Sequence, residues 1–187
     1  PKTVIFLTAD AYGVLPLPKP VLSFLNILIN LLRSVPFLIL IIVLIPFTRL
    51  VAGTSIGATA TIVPLIVGAA PFIARMVESS LLEVDAGVVE AAQAMGASPW
   101  QIVTKVLLKE SVPSLVTGAA IALTTILGYS AMAGAVGGGG LGDLAIKYGY
   151  HRYQTDVLLL TLVILVLLVQ VIQALGNAVA KRIDHRK

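Results

Sequence analysis

Apolar residues in this chain come in long runs, not in narrow stripes. Four runs approach the length of about 20 residues that a bilayer-crossing helix needs. They cover about 21–46, 56–77, 112–136 and 156–179. The first is interrupted by Arg33 and Pro36, and the second contains Pro64 and Pro71. Backbone in hydrocarbon must pair internally, so such runs are helices or strands of a closed barrel. Barrel strands alternate polar and apolar positions, and 158–169 does not alternate. The pattern therefore predicts an all-α, polytopic transmembrane helix bundle, with residues 1–187 as one transmembrane domain.

Between the second and third runs the pattern changes. Segment 81–111 holds two short amphipathic helices joined by a turn. Asp85 is placed to cap a helix from Ala86 to Met95, and Gly96 to end it. Ser98, Pro99 and Gln101 form a capping box with proline at the first helical position. In the second helix Ile102, Val103, Val106 and Leu107 form an apolar stripe, with Lys105 and Lys109 off it. Two readings of this island are open on the residues alone. It lies on lipid headgroups, or it docks a soluble partner, whose surface the small residues Ala91, Ala92 and Gly96 would admit closely.

Composition supports lipid as the solvent. The chain is 58% hydrophobic and 12% charged, against about 25% charged in soluble domains. There is no cysteine, which excludes disulfides and thiol chemistry, and the two histidines, His151 and His185, stand far apart. No catalytic residue or metal-ligand set is expected, and no nucleic-acid partner. Residues 137–142 satisfy G-x-G-x-x-G formally, but a dinucleotide site needs a preceding strand, and an apolar span precedes them here. A flexible external loop is expected instead. No G-x-x-x-x-G-K-[ST] occurs, so any energy from ATP must enter through another chain.

Charge placement sets an orientation. Lys2, Lys19, Lys105, Lys109, Lys181, Arg182, Arg186 and Lys187 fall on one side of a four-span topology, and Arg49, Lys147 and Arg152 on the other. By the positive-inside rule both ends and segment 81–111 are cytoplasmic. Arg33 and Arg75 stay unassigned. Arg75 and Glu78 share a helical face and are placed to pair at a helix end. Asp143 and Asp156 are expected to be solvated. Small residues four apart, Gly53/Gly57, Ala70/Ala74, Gly118/Ala122 and Ala131/Ala135, favour close helix packing. Prolines 36, 64, 71 and 113 are expected to bend helices. The chain opens on Pro1 and its run 4–7 is too short to span, so it reads as a fragment of a longer protein.

The hairpin carries a family resemblance. Glu90-Ala91-Ala92, then Gly96, then Val106 and Leu108 resembles the "EAA" signature of ATP-binding-cassette (ABC) importer permeases, with Lys109 where proline is usual. Arg33-Ser34-Val35-Pro36-Phe37, Ala70-Pro71-Phe72-Ile73-Ala74-Arg75-Met76-Val77-Glu78 and Leu127-Gly128-Tyr129-Ser130-Ala131-Met132 resemble methionine-importer permeases. So do Ile45-Pro46-Phe47-Thr48-Arg49, Gly53-Thr54-Ser55-Ile56-Gly57, Gly139-Gly140-Leu141-Gly142 and Tyr148-Gly149-Tyr150. The resemblance implies a non-enzymatic inner-membrane permease, homodimeric, that translocates methionine. It implies a cytoplasmic ABC ATPase that binds ATP, and an extracytoplasmic binding protein or lipoprotein. Such permeases have five spans, so the first is missing or cut short here. Glu90, Ala91, Ala92, Gly96, Ser98, Pro99 and Trp100 would couple to the ATPase. Tyr129, Ser130 and Met132 interrupt the third span and are candidates to line the pathway, with core packing as the alternative. A permease for another amino acid or a quaternary amine, and a membrane channel or interaction protein without an ATPase, are the competing readings.

Overall fold

The computed structural model describes residues 18–183. The expectations that rest on Lys2, the run 4–7, His185, Arg186 and Lys187 lie outside the described residues. Those described contain helices and no strand. In order they are α1 (Lys19–Ser34), α2 (Phe37–Val43), α3 (Ile45–Ala52), α4 (Ala58–Leu82), α5 (Ala86–Ala94) and α6 (Pro99–Gln101). A π-helical stretch (Ile102–Leu107) leads to α7 (Leu108–Glu110), α8 (Val112–Ala133) and a 3-10 turn (Gly134–Val136). Then come α9 (Gly140–Leu144), a second π-helical stretch (Ala145–Tyr150) and α10 (Thr155–Ile183).

Among the described residues three helices are long and apolar enough to cross a membrane, Ala58–Leu82, Val112–Val136 counting the 3-10 turn, and Thr155–Ile183, of 25, 25 and 29 residues, and the bent pair Pro20–Ser34 and Phe37–Val43 makes a fourth span if taken as one. At about 1.5 Å per residue each of the three exceeds a hydrocarbon core of about 30 Å. The run expected as a crossing over 21–46 is not one straight helix. It breaks at Val35 and Pro36, and the pieces Pro20–Ser34 and Phe37–Val43 meet at 103°. Pro36 has φ −58° and ψ 134°. It offers no N–H to continue the ladder and disfavours helical backbone at Val35. Pro64 and Pro71, by contrast, sit inside an unbroken α4. Both are buried, and neighbouring groups in a bundle tolerate such prolines.

The chain forms two compact units. One takes Pro71–Ala120 with the described residues up to Leu31 and from Gly176 onward; the other takes Leu32–Ala70 and Ile121–Leu175.

In the first unit, Leu81 and Val84 at the end of α4 form a core with Val89, Ala92, Ile102, Val103 and Leu107. The amphipathic stripe foreseen in the second short helix therefore faces this chain's own α4, not lipid. Arg75 ties α1 to α4. Its Nη1 donates to Glu78 Oε2 at 2.6 Å, and its Nη2 donates to Asn26 Oδ1 at 2.9 Å and Asn30 Oδ1 at 3.1 Å. The expected Arg75–Glu78 pair is thus part of a larger polar network. Ser114 Oγ donates to Ser80 Oγ at 3.1 Å, joining α8 to α4. Met76 packs where a Cβ on Gly118 would lie, and Ala120 where one on Gly176 would lie.

In the second unit, Phe37, Leu40, Ile41 and Ala133 form the core. Gly68 admits Phe37, whose Cδ2 lies 2.9 Å from where a Cβ would stand. The glycine-rich segment is a loop over 137–139 that is packed in part, at Gly138 and Gly142, while a Cβ on Gly139 or Gly140 would meet no neighbour within 4 Å. Backbone of Gly142 and Asp143 occupies the space of a Cβ on Gly134, and backbone of Ala131 that of a Cβ on Gly142. The Gly57 N–H donates to the Gly137 carbonyl at 3.1 Å. Gly53 and Gly57, read as a helix-packing pair, are instead loop glycines with φ of 73° and 99°, a conformation in which glycine avoids the Cβ penalty.

Asp143 also departs from expectation. It is only 9% exposed. Its Oδ2 pairs with Lys147 Nζ at 2.8 Å, and its Oδ1 is buried without a hydrogen-bond partner. Asp156 lies exposed in the first turn of α10, where a carboxylate complements the helix dipole.

Candidate functional site

The hairpin of α5 and α6 is built by its end signals. The Gly87 N–H donates to Asp85 Oδ1 at 2.7 Å, which starts α5. At the other end the Gly96 N–H donates to the Gln93 carbonyl at 2.9 Å, and the Ala97 N–H to the Ala92 carbonyl at 3.1 Å. These are the two bonds of a Schellman ending, which requires a left-handed residue between them. Gly96 supplies it with φ 77°. One residue later the next helix begins. The Ser98 N–H donates to Gln101 Oε1 at 2.8 Å, and the Gln101 N–H donates to Ser98 Oγ at 3.4 Å. Pro99 holds the first helical position.

The glycine and the capping serine of the motif are therefore explained by the turn itself. The helix that follows differs from expectation, since Ile102–Leu107 is π-helical. Such wide turns are rare and are frequent at functional sites. The hydroxyl of Thr104 donates to the Trp100 carbonyl at 2.7 Å within this turn.

The candidate coupling residues divide by exposure. Ala92 is buried in the core beneath the hairpin, so its small side chain serves packing within this chain. Glu90, Ala91, Gly96, Ser98, Pro99 and Trp100 are exposed. Val88, Ala91 and Met95 recur at helical spacing along one side of α5. Met95 and Trp100, at 82% and 64% exposure, leave large apolar surfaces uncovered around the turn. Met95 was not singled out in the sequence. The signal that marks it is its helical spacing from Val88 and Ala91, which puts it on the side of α5 turned away from the buried Val89 and Ala92.

The candidate pathway residues are not brought together. Tyr129 stacks on Phe37, with centroids 4.2 Å apart and planes at 11°. Ser130 and Met132 are exposed. Tyr129 is thus committed to the core of its unit, while Ser130 and Met132 remain available on the surface of α8. The described residues contain no cluster of three or more His, Cys, Asp or Glu side chains arranged to hold a metal ion.

Comparison with known proteins places this architecture. Residues 11–187 match the family described as binding-protein-dependent transport system inner membrane component. The chain is 53% identical over 186 residues to the probable D-methionine transport system permease protein MetI of Vibrio cholerae serotype O1, covering 100% of this chain and 82% of the relative. It is 43% identical to the methionine import system permease protein MetP of Bacillus subtilis, covering 98% and 82%. A solved structure of the MetNI methionine ABC transporter in an inward-facing conformation superposes with a TM-score of 0.88 at 45% identity, covering 98% of this chain and 93% of that one.

Proposed function

This chain belongs to the family of binding-protein-dependent transport system inner membrane components, and from that premise we propose that it is the membrane permease of an ABC importer that carries methionine into the cell. The observation that carries this reading is the pairing of two features. The chain is similar along its whole length to methionine permeases, and its hairpin presents Met95 and Trp100 outward on a turn anchored from within.

The permease performs no bond chemistry. Its task is to change shape when a motor subunit does. The partner ATPase binds and hydrolyses ATP, and receives the α5–α6 hairpin in a surface groove. Trp100, Met95 and Ala91 fill that groove, while Glu90 and the Ser98–Pro99 corner line its polar edge. Val89, Ala92, Ile102, Val103 and Leu107 lock the hairpin to Leu81 and Val84. Displacement of the hairpin is thereby passed to α4 as one packed body. Two copies of the chain surround the pathway, with the exposed face of α8 that carries Met132 toward it and Ser130, two residues away, on another face of the same helix. An extracytoplasmic binding protein delivers the substrate, and the hairpin faces the cytoplasm along with both chain ends. ATP shifts the balance between inward- and outward-open states by the differential affinity of the ATPase pair for them.

The test is uptake into proteoliposomes holding the permease, its ATPase and its binding protein. Radiolabelled methionine accumulates only with ATP on the ATPase side, and excess unlabelled methionine competes. Equal competition by an unrelated amino acid or a quaternary amine assigns another substrate. Uptake independent of ATP rejects the importer reading.

A further inference from the structure

The described part of the first unit contains an open cleft of about 420 Å3 that the coupling mechanism does not use. It is lined by Glu83 just past the end of α4, by Ser114 and Thr117 near the start of α8, and by Asn177, Ala180 and Lys181 near the end of α10. Its volume lies in the range of small-molecule sites, roughly 300–1,000 Å3.

The polar groups are sorted by chemistry. Ser114 Oγ gives its hydrogen to Ser80 and Thr117 Oγ1 gives its hydrogen to the Pro113 carbonyl at 3.1 Å. Both hydroxyls therefore offer lone pairs to the cleft. Together with the Glu83 carboxylate they make three acceptors. Asn177 and Lys181 stand four apart on α10, one turn from each other, and supply amide and ammonium donors. Neither Glu83 nor Lys181 has an ion-pair partner among the described residues.

The position of Glu83 is informative in itself. A carboxylate beyond the C-terminal end of a helix faces the negative end of the dipole, which does nothing for helix stability. The same negative field adds to the attraction for a cation placed there. One wall of the cleft thus favours a cation with hydrogens to donate, and another favours an anion.

We infer that this cleft binds a zwitterion, its ammonium held by Glu83, Ser114 and Thr117 and its carboxylate by Lys181 and Asn177, and that it serves as an amino-acid subsite on the permease. This rests on the importer reading above and names where the substrate pauses on this chain. The ethanolamine phospholipids carry the same pair of charges and are the other source of such a ligand.

The test uses the full chain, without its ATPase, in nanodiscs of phosphatidylglycerol, and measures saturable binding of radiolabelled methionine. Three competitors are compared: methionine, its carboxylate-free alcohol methioninol, and its amine-free analogue 4-(methylthio)butanoate. Glu83→Gln is expected to weaken methionine roughly tenfold and to erase the preference for methionine over the amine-free acid. Lys181→Gln is expected to weaken it by a similar factor and to erase the preference over the alcohol. These are the scale of one charge-assisted hydrogen bond each. A misfolded variant would lose both preferences together, so the crossed pattern reports the site and not the fold.

No saturable binding by the unaltered chain, or variants that bind as it does, overturns the inference. In discs containing phosphatidylethanolamine, unchanged methionine binding supports the amino-acid assignment. Methionine exclusion, with the lipid retained by the unaltered chain and lost from both variants, reassigns the cleft to a headgroup and overturns it. Normal ATP-driven methionine uptake by Glu83→Gln and Lys181→Gln, with unaltered binding, removes this inference and leaves the importer reading standing. Loss of uptake in the unaltered protein removes the importer reading itself.

Discussion

Arg75 is the residue on which the first unit's polar packing turns. Its guanidinium serves Glu78, Asn26 and Asn30 at once, a task for a planar fork and not for a point charge. Arg75→Met leaves a part-buried carboxylate without its cation and costs about 1–3 kcal/mol. We expect a lowered melting temperature of the purified protein, with Arg75→Lys between the two. The Glu78 partner is legible from a spacing of three on a helix. The two asparagines are not, because nothing local in the sequence says which face of α1 meets α4. At Gly134 the reason for glycine is backbone contact with Gly142 and Asp143, where no side chain can yield. Gly134→Ala is expected to destabilise by about 3 kcal/mol, read as failure to accumulate in the membrane or a strongly lowered melting temperature. The glycine run 137–142 hides two different requirements, left-handed backbone at Gly137, Gly139 and Gly140 and close packing at Gly138 and Gly142, which the sequence does not tell apart. Asp143 is likewise misread as solvated, since its burial depends on that packing.

Among the elements, the hairpin is the one the sequence describes best. Asp85, Gly96, Ser98, Pro99 and Gln101 each carry a local backbone requirement, and local requirements are visible without a fold. The π-helical stretch after it is invisible for the opposite reason: its residues suit an ordinary helix. Gly96→Ala meets no neighbouring atom within 4 Å but forces a left-handed alanine, at about 1–2 kcal/mol. It should loosen the turn and lower ATPase co-purification modestly. Ala92→Leu overpacks the core under the hairpin and is expected to lower the melting temperature of the permease itself. Trp100→Asp is expected to do the reverse: membrane insertion and melting unchanged, and the ATPase lost on purification. Of the helices, the three long spans follow from apolar length. The bend expected at Pro36 is found, but the continuity at Pro64 and Pro71 is not legible, because a proline's effect depends on whether the surrounding bundle covers the carbonyls it frees.

For the whole molecule, the exposed apolar residues tell two stories. Leu159, Leu160, Leu162 and Val163 on α10 are exposed in a helix apolar enough to face lipid. Met95 and Trp100 are exposed outside the spans, which suits a protein partner. Since the chain contains no cysteine, single cysteines can be placed without background. The most direct measurement of the coupling mechanism is therefore cross-linking of Met95→Cys, Trp100→Cys and Ala92→Cys permease, co-expressed with its ATPase, to single cysteines along the ATPase surface. The account predicts that positions 95 and 100 join the ATPase in yields that change when ATP is bound and that the buried position 92 does not react. Permease that reacts at 95 and 100 only with lipid-soluble reagents, with the ATPase present and never cross-linked, would contradict it.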